Sequence, residues 1–96
     1  MEVNRAEAVA VLLVQAEEAH GAYEATQLHG IYDEEWPTWY AGYMVDHGLE
    51  DLLGHELLAD SVGEFLASTY ADFDRADPKP RDPWTASIGN RMVAEL

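Results

Sequence analysis

The sequence predicts an all-α fold: four helices forming two helical hairpins, with a short extra turn between the pairs. Two observations predict it. Apolar residues recur at three- and four-residue spacing along most of the chain. Asparagine, aspartate, glycine and proline stand where helices need to start and stop. No strand-like alternation rivals these patterns. At 96 residues and 48% hydrophobic, the chain is expected to fold as one helical domain over 1–96 with one modest core.

Each element follows from its residues. Asn4 followed by Glu7 is a capping pair at a helix start. From there Val9, Leu12, Leu13, Ala16, His20 and Tyr23 share one helical face. Ala10, Val11 and Val14 form a second apolar strip beside it. A helix apolar over so wide an arc is central in the fold or shared with another subunit. It should end near His29, with Gly30 as its stop. A loop over 31–35 follows, in which Asp33 suits an N-cap and Pro37 the first turn of the next helix. That second helix carries Trp36, Trp39, Tyr40, Tyr43, Met44 and His47 on one face and closes at Gly48. Leu49 to Leu53 form the short turn. The third helix runs from about Glu56 to Arg75, with Leu58, Val62, Phe65, Leu66, Thr69 and Phe73 as its apolar face. Glu56, Asp60 and Glu64 form a solvated ridge. The segment Asp77 to Pro83 holds three of the four prolines and reads as a loop. Pro83 opens the fourth helix, where Trp84, Ile88 and Met92 repeat every fourth residue. The halves show a weak internal correspondence: Ala6, Val9 and Leu13 with Ala59, Val62 and Leu66, and Trp36, Met44 and Val45 with Trp84, Met92 and Val93.

Composition narrows the function. The formal net charge is −14, and no Lys or Arg occurs between Arg5 and Arg75. Four of the five basic residues, Arg75, Lys79, Arg81 and Arg91, lie near the C-terminus. Nucleic acid and anionic membranes both demand Lys and Arg against phosphate, so neither is expected as a partner. No glycine-rich loop followed by Lys is present to cradle phosphate. The absence of cysteine removes disulfides and thiolate chemistry, and it fits a cytoplasmic protein. The apolar run from Ala8 to Val14 is short and flanked by Glu2 and Glu7, unlike a targeting leader. The charge itself reads first as a solubility device.

Four constellations are candidates for function. Glu17 and His20 form Glu-x-x-His, a spacing that points both side chains at one ion in carboxylate-bridged metal bundles. No second copy exists, so a mononuclear variant would draw on His20, Glu24, Asp46 and His47 across the first two helices. Against it stands the plain reading of His20 as a core histidine bonded to Glu24, Tyr23 or a loop; no metal and no cofactor is favoured. Second, Trp36, Trp39, Tyr40 and Tyr43, with His20, Tyr23 and Glu24, suit a pocket for a small apolar or aromatic ligand, or else simply fill a thin core. Third, Ser61, Ser68 and Ser87 lack any Gly-x-Ser-x-Gly context, and Asp33, Glu34 and Glu35 are explained by the helix dipole, so catalysis is not specified. Fourth, the strip Ala10, Val11 and Val14, or the aromatic helix, suits a symmetric homodimer.

Residues His20, Tyr23 and Glu24, then Asp33, Trp36, Pro37, Trp39, Tyr40 and Ala41, form a pattern of their own. Written as His-x-x-aromatic-Glu and Asp-x-x-Trp-Pro-x-Trp-Tyr-Ala, it resembles a group of small uncharacterised bacterial helical proteins. The resemblance covers a third to a half of the chain. It implies that His20, Glu24 and the Trp/Tyr set belong to one polar–aromatic cluster between the first two helices. It implies no activity.

The reading these observations favour is a non-enzymatic, acidic helical protein that binds a protein or small-molecule partner, as a homodimer. One rival is a metal-dependent or ligand-processing enzyme using His20, Glu24 and the neighbouring aromatics. Another is an acidic mimic of nucleic acid that captures a basic protein.

Overall fold

Asn4 opens the first helix as its position predicts. Its Oδ1 accepts from the backbone N–H of Ala6 at 2.8 Å and of Glu7 at 3.4 Å, giving an acceptor to two of the backbone donors that a helix start leaves unpaired. The computed structural model describes residues 4–77 and 83–96. Over these residues run α1 (Arg5–Gln27), α2 (Trp36–Asp46), α3 (Leu49–Leu53), α4 (Ala59–Arg75) and α5 (Trp84–Glu95). No strand occurs among the described residues. The short α3 is the extra turn expected at Leu49 to Leu53. The loop expected over 77–83 falls, at 78–82, outside the described residues.

Punctuation by glycine is local and works as expected. Gly30 takes a φ of 79° and donates its N–H to Glu24 O at 2.9 Å, closing α1. Gly48, at φ 106°, separates α2 from α3. Two boundaries differ from expectation. The cap position of α2 is Glu35, without a side-chain cap; Asp33 Oδ1 instead accepts from the N–H of Glu35, the residue just before the helix, at 2.9 Å. The third long helix begins at Ala59 rather than Glu56, because Glu50 Oε2 takes the N–H of Leu57 at 2.9 Å and holds that segment off the helical path. Leu58, expected on the apolar face, is consequently 75% exposed.

The core is one cluster drawn from every helix. Val9, Leu13, Met44, Leu49, Val62, Leu66, Ile88 and Met92 are fully buried or nearly so. At about 25 cal/mol per Å² of apolar surface, burial of these side chains is the main stabilising term for a domain this small. Thr69, buried on α4, satisfies its hydroxyl by donating to Phe65 O at 2.8 Å.

Helix pairing differs from two self-contained hairpins. The most extensive interfaces join α1 to α5 and α2 to α4; the consecutive pairs α1–α2 and α4–α5 meet over less. Trp84 meets Glu17 while Gly89 meets Ala6 and Ala10, so α5 runs antiparallel to α1. Trp36 meets Tyr70 while Gly63 meets Pro37 and Ala41, so α4 runs antiparallel to α2. The wide apolar arc of α1 explains the arrangement: it serves α2, α3 and α5 at once. Of its second strip, Ala10 faces Gly89 of α5, whereas Val11 and Val14 stand 55% and 39% exposed. Outside the core, Arg91 on α5 reaches Asp72 on α4 at 3.0 Å and Glu95 at 2.7 Å. Being exposed, these ion pairs orient the helices more than they hold them. Among the described residues no helix is long and apolar enough to cross a membrane.

Candidate functional site

Antiparallel packing brings the C-terminal parts of α1 and α4 beside the N-terminal parts of α2 and α5. At that end lies an open cleft of about 210 Å³. Helix α1 contributes Glu17, His20 and Glu24, which fall on one side of the helix because they recur at three- and four-residue steps. Helix α2 contributes Trp36 and Tyr40, α4 Tyr70, α5 Trp84, and the α1–α2 loop Tyr32.

His20 anchors one wall. It is 4% exposed, and both ring nitrogens face carboxylates. Nε2 lies 2.9 Å from Asp33 Oδ2 and Nδ1 lies 3.6 Å from Glu24 Oε1. Glu24 Oε2 in turn accepts the backbone N–H of Asp33 at 3.1 Å. The three residues thus lock the α1–α2 loop onto α1 and fix where α2 begins. This is the loop-bonded core histidine anticipated as the plain reading of His20, and Asp33 is the partner the sequence did not disclose. Around the imidazole pack Tyr23, Trp39 and Tyr40, at centroid separations of 6.0, 5.1 and 5.1 Å.

The aromatic stripe of α2 divides into two rows. Trp36 and Tyr40 turn into the cleft with ring centroids 5.2 Å apart and nearly perpendicular. Trp39 and Tyr43 run along the other side, stacked at 5.6 Å, and Tyr43 stacks in turn on His47 at 3.9 Å. Of the expected ligand-binding set, His20, Glu24, Trp36 and Tyr40 line the cleft; Tyr23, Trp39 and Tyr43 do not.

Tyr70 and Trp84 complete the cleft and were not anticipated in it. Trp36 meets Tyr70 at 5.2 Å and Trp84 at 6.4 Å, and Tyr70 meets Trp84 at 5.7 Å, all near perpendicular. The Trp84 indole Nε1–H donates to Glu17 Oε2 at 2.9 Å, tying α5 to α1 across the cleft mouth. Trp84 read in the sequence as the first core residue of its helix. Tyr70 lies off the apolar face of α4, and an off-face aromatic was the available signal. Tyr32, 69% exposed in a loop, left none.

Of the suggested metal ligands, Glu17, His20 and Glu24 line the cleft, whereas Asp46 and His47 do not. Glu17 engages Trp84, and His47 Nδ1 lies 2.7 Å from Tyr43 O. Among the described residues no three His, Asp or Glu side chains are grouped to hold a metal ion.

The site is electronegative. Burial pushes the Tyr40 hydroxyl well above the ordinary phenol range, and the carboxylates of Glu17 and Glu24 add to it. A group whose pKa is raised by folding keeps its proton in the folded state. Its stabilising contribution is therefore complete below the unfolded value of about 10 and is lost as pH rises beyond it. Replacing Tyr40 by Phe should flatten the fall in melting temperature above about pH 10. A variant whose alkaline limb matches the wild type would show that Tyr40 takes no part in it.

No protein family, no curated protein and no solved structure matches this chain.

Proposed function

We propose that this chain is a small acidic binding module whose site is the cleft between Glu17, Trp36, Tyr70 and Trp84. The observation that carries this reading is convergence. Four helices, spread over most of the sequence, each send large aromatic or carboxylate side chains to one concavity. Rings recruited only to fill a core would be closed over; Trp36, Tyr70 and Trp84 all keep part of their surface in contact with solvent. Concave, largely aromatic surfaces with a few convergent polar groups are the usual form of small-ligand sites. At about 210 Å³ the cleft suits a compact ligand or a single projecting group rather than a drug-sized molecule.

The enzymatic alternative draws less support. His20 is almost fully buried, and its nitrogens are directed at Asp33 and Glu24 rather than into open space. A homodimer through α1 remains part of the proposal, since Val11 and Val14 leave apolar surface on that helix uncovered.

The reading is tested by a fragment screen on isotope-labelled protein. The three tryptophans give three indole N–H signals, assigned with single Trp→Phe variants. Bound fragments should move the Trp36 and Trp84 signals. Fragments that bind only along Val11 and Val14, or that leave both indoles unmoved, would count against the cleft as the site.

A further inference from the structure

Resting on the cleft reading, we propose that its ligand is an organic cation of the alkylated ammonium type, its head group seated on the aromatic rings and facing the Glu17 and Glu24 carboxylates.

Three features of the cleft select that chemistry. The first is its ring geometry. Trp36 stands nearly perpendicular to Tyr40, Tyr70 and Trp84, at interplanar angles of 76°, 76° and 69°. Perpendicular neighbours make corners, and a corner offers a π face to a group lodged in it. The negative face of an aromatic ring attracts a cation, tryptophan most strongly, and the attraction grows when the site is partly dry. Two of the four rings here are indoles.

The second feature is charge. Glu17 and Glu24, seven residues apart on α1, both line the cleft, and none of its lining residues is Lys or Arg. The hydrogen bond from Trp84 Nε1 to Glu17 Oε2 holds that carboxylate at the rim and pulls electron density toward the indole ring. Burial, and then the same two carboxylates, also disfavour ionisation of the Tyr40 hydroxyl in this cleft. The chain's net charge of −14 adds a long-range attraction for cations.

The third is what the cleft lacks as a site for an inorganic ion. Metal ions want several converging oxygen or nitrogen ligands, and no such group of three exists among the described residues. A cation carrying its own apolar surface satisfies both halves of the lining: methyl or methylene groups against the rings, charge toward the carboxylates. A neutral aromatic would satisfy only the first half and a metal ion only the second.

Choline provides the probe. Its uncharged carbon isostere, with a tert-butyl group in place of trimethylammonium, provides the control. Both are titrated into the full chain at constant ionic strength, following tryptophan fluorescence and the indole N–H signals. Choline should bind at least about tenfold tighter than the isostere and move the Trp36 and Trp84 signals. Glu17→Gln keeps an acceptor for the Trp84 indole and removes the charge at an exposed position. It should weaken choline several-fold and leave the isostere unchanged. Trimethyllysine in a short peptide, compared with free choline and with the unmethylated peptide, separates a protein-borne cation from a free solute: whichever of the peptide and choline binds tighter names the source. Equal binding of choline and its isostere would overturn the cation and leave the cleft standing. So would failure of every ammonium probe while uncharged fragments move the indoles. If nothing moves the indoles, the cleft itself fails as a site.

Discussion

His20→Ala should destabilise the protein by about 3 kcal/mol and lower its melting temperature by roughly 12–24 °C. Two losses add. The imidazole fills space among Tyr23, Trp39 and Tyr40, none of which can collapse onto an alanine without leaving its other ring contacts. A void there forfeits both transfer energy and packing. The second loss is electrostatic. Without the ring, Asp33 Oδ2 has lost a donor 2.9 Å away, and the Asp33 and Glu24 carboxylates are left beside the same vacated space. Removing one member of a buried polar pair costs more than the pair contributes intact. The consequence spreads, because Asp33 also shapes the entry to α2 by accepting from Glu35 N. Urea unfolding followed by far-UV circular dichroism measures the change. A loss below about 1 kcal/mol would mean that the loop re-forms without its anchor and that the clamp is incidental.

Why Asp33 was expected to cap α2 rather than to hold His20 shows where local reading stops. Sequence makes a residue's nearest neighbours along the chain visible, and the features decided by them were legible. Asn4 caps α1 through the second and third residues after it, and Gly30 and Gly48 take left-handed backbone angles that no long-range partner has to impose. The buried face of α1 was legible too, from the three- and four-residue recurrence of Val9, Leu12, Leu13, Ala16 and His20, although Val11 and Val14 widen the apolar arc. On α2 recurrence does not single out one row. Trp36–Tyr40–Met44 and Trp39–Tyr43–His47 are adjacent rows of nearly equal hydrophobic weight, so periodicity alone cannot choose between them. Packing against α4 chose the first for the interior: Tyr40 and Met44 are buried, while His47 is exposed. Tyr70 and Trp84 needed more still. Their meeting with Trp36 depends on α4 crossing α2 and α5 crossing α1, and nothing within either helix encodes it. The His20–Glu24–aromatic half of the cleft was therefore readable, and the half supplied by α4 and α5 was not.

Gly89→Val should cost about 3 kcal/mol and displace the Trp84 side of the cleft. A Cβ at Gly89 would lie 3.1 Å from Ala10 N, 3.2 Å from Ala6 O and 3.3 Å from Ala10 Cα. All three atoms are backbone of α1. Unlike the end of a flexible side chain, they can yield only if a whole helix shifts. Alanine at this position sets that clash against a helix-propensity gain of about 1 kcal/mol, so the two effects oppose one another. Valine adds two methyl groups in the same direction, gains less propensity, and leaves separation of α5 from α1 as the only relief. Because α1 and α5 share the most extensive interface in the fold, that separation reaches the core through Val9, Leu13, Ile88 and Met92. It also draws Trp84 away from Glu17, a contact of 2.9 Å with little slack. Gly63→Ala is the matched comparison. There a Cβ meets Pro37 O at 3.4 Å and Ala41 Cβ at 3.8 Å, ordinary contact distances, so helix propensity prevails and stability rises by about 0.5–1 kcal/mol. Urea midpoints of the two variants should move in opposite directions, and the Trp84 indole signal should shift in Gly89→Val alone. A Gly89→Val protein as stable as the wild type would place α5 elsewhere on α1, and the cleft whose rim Trp84 forms would lose its fourth wall.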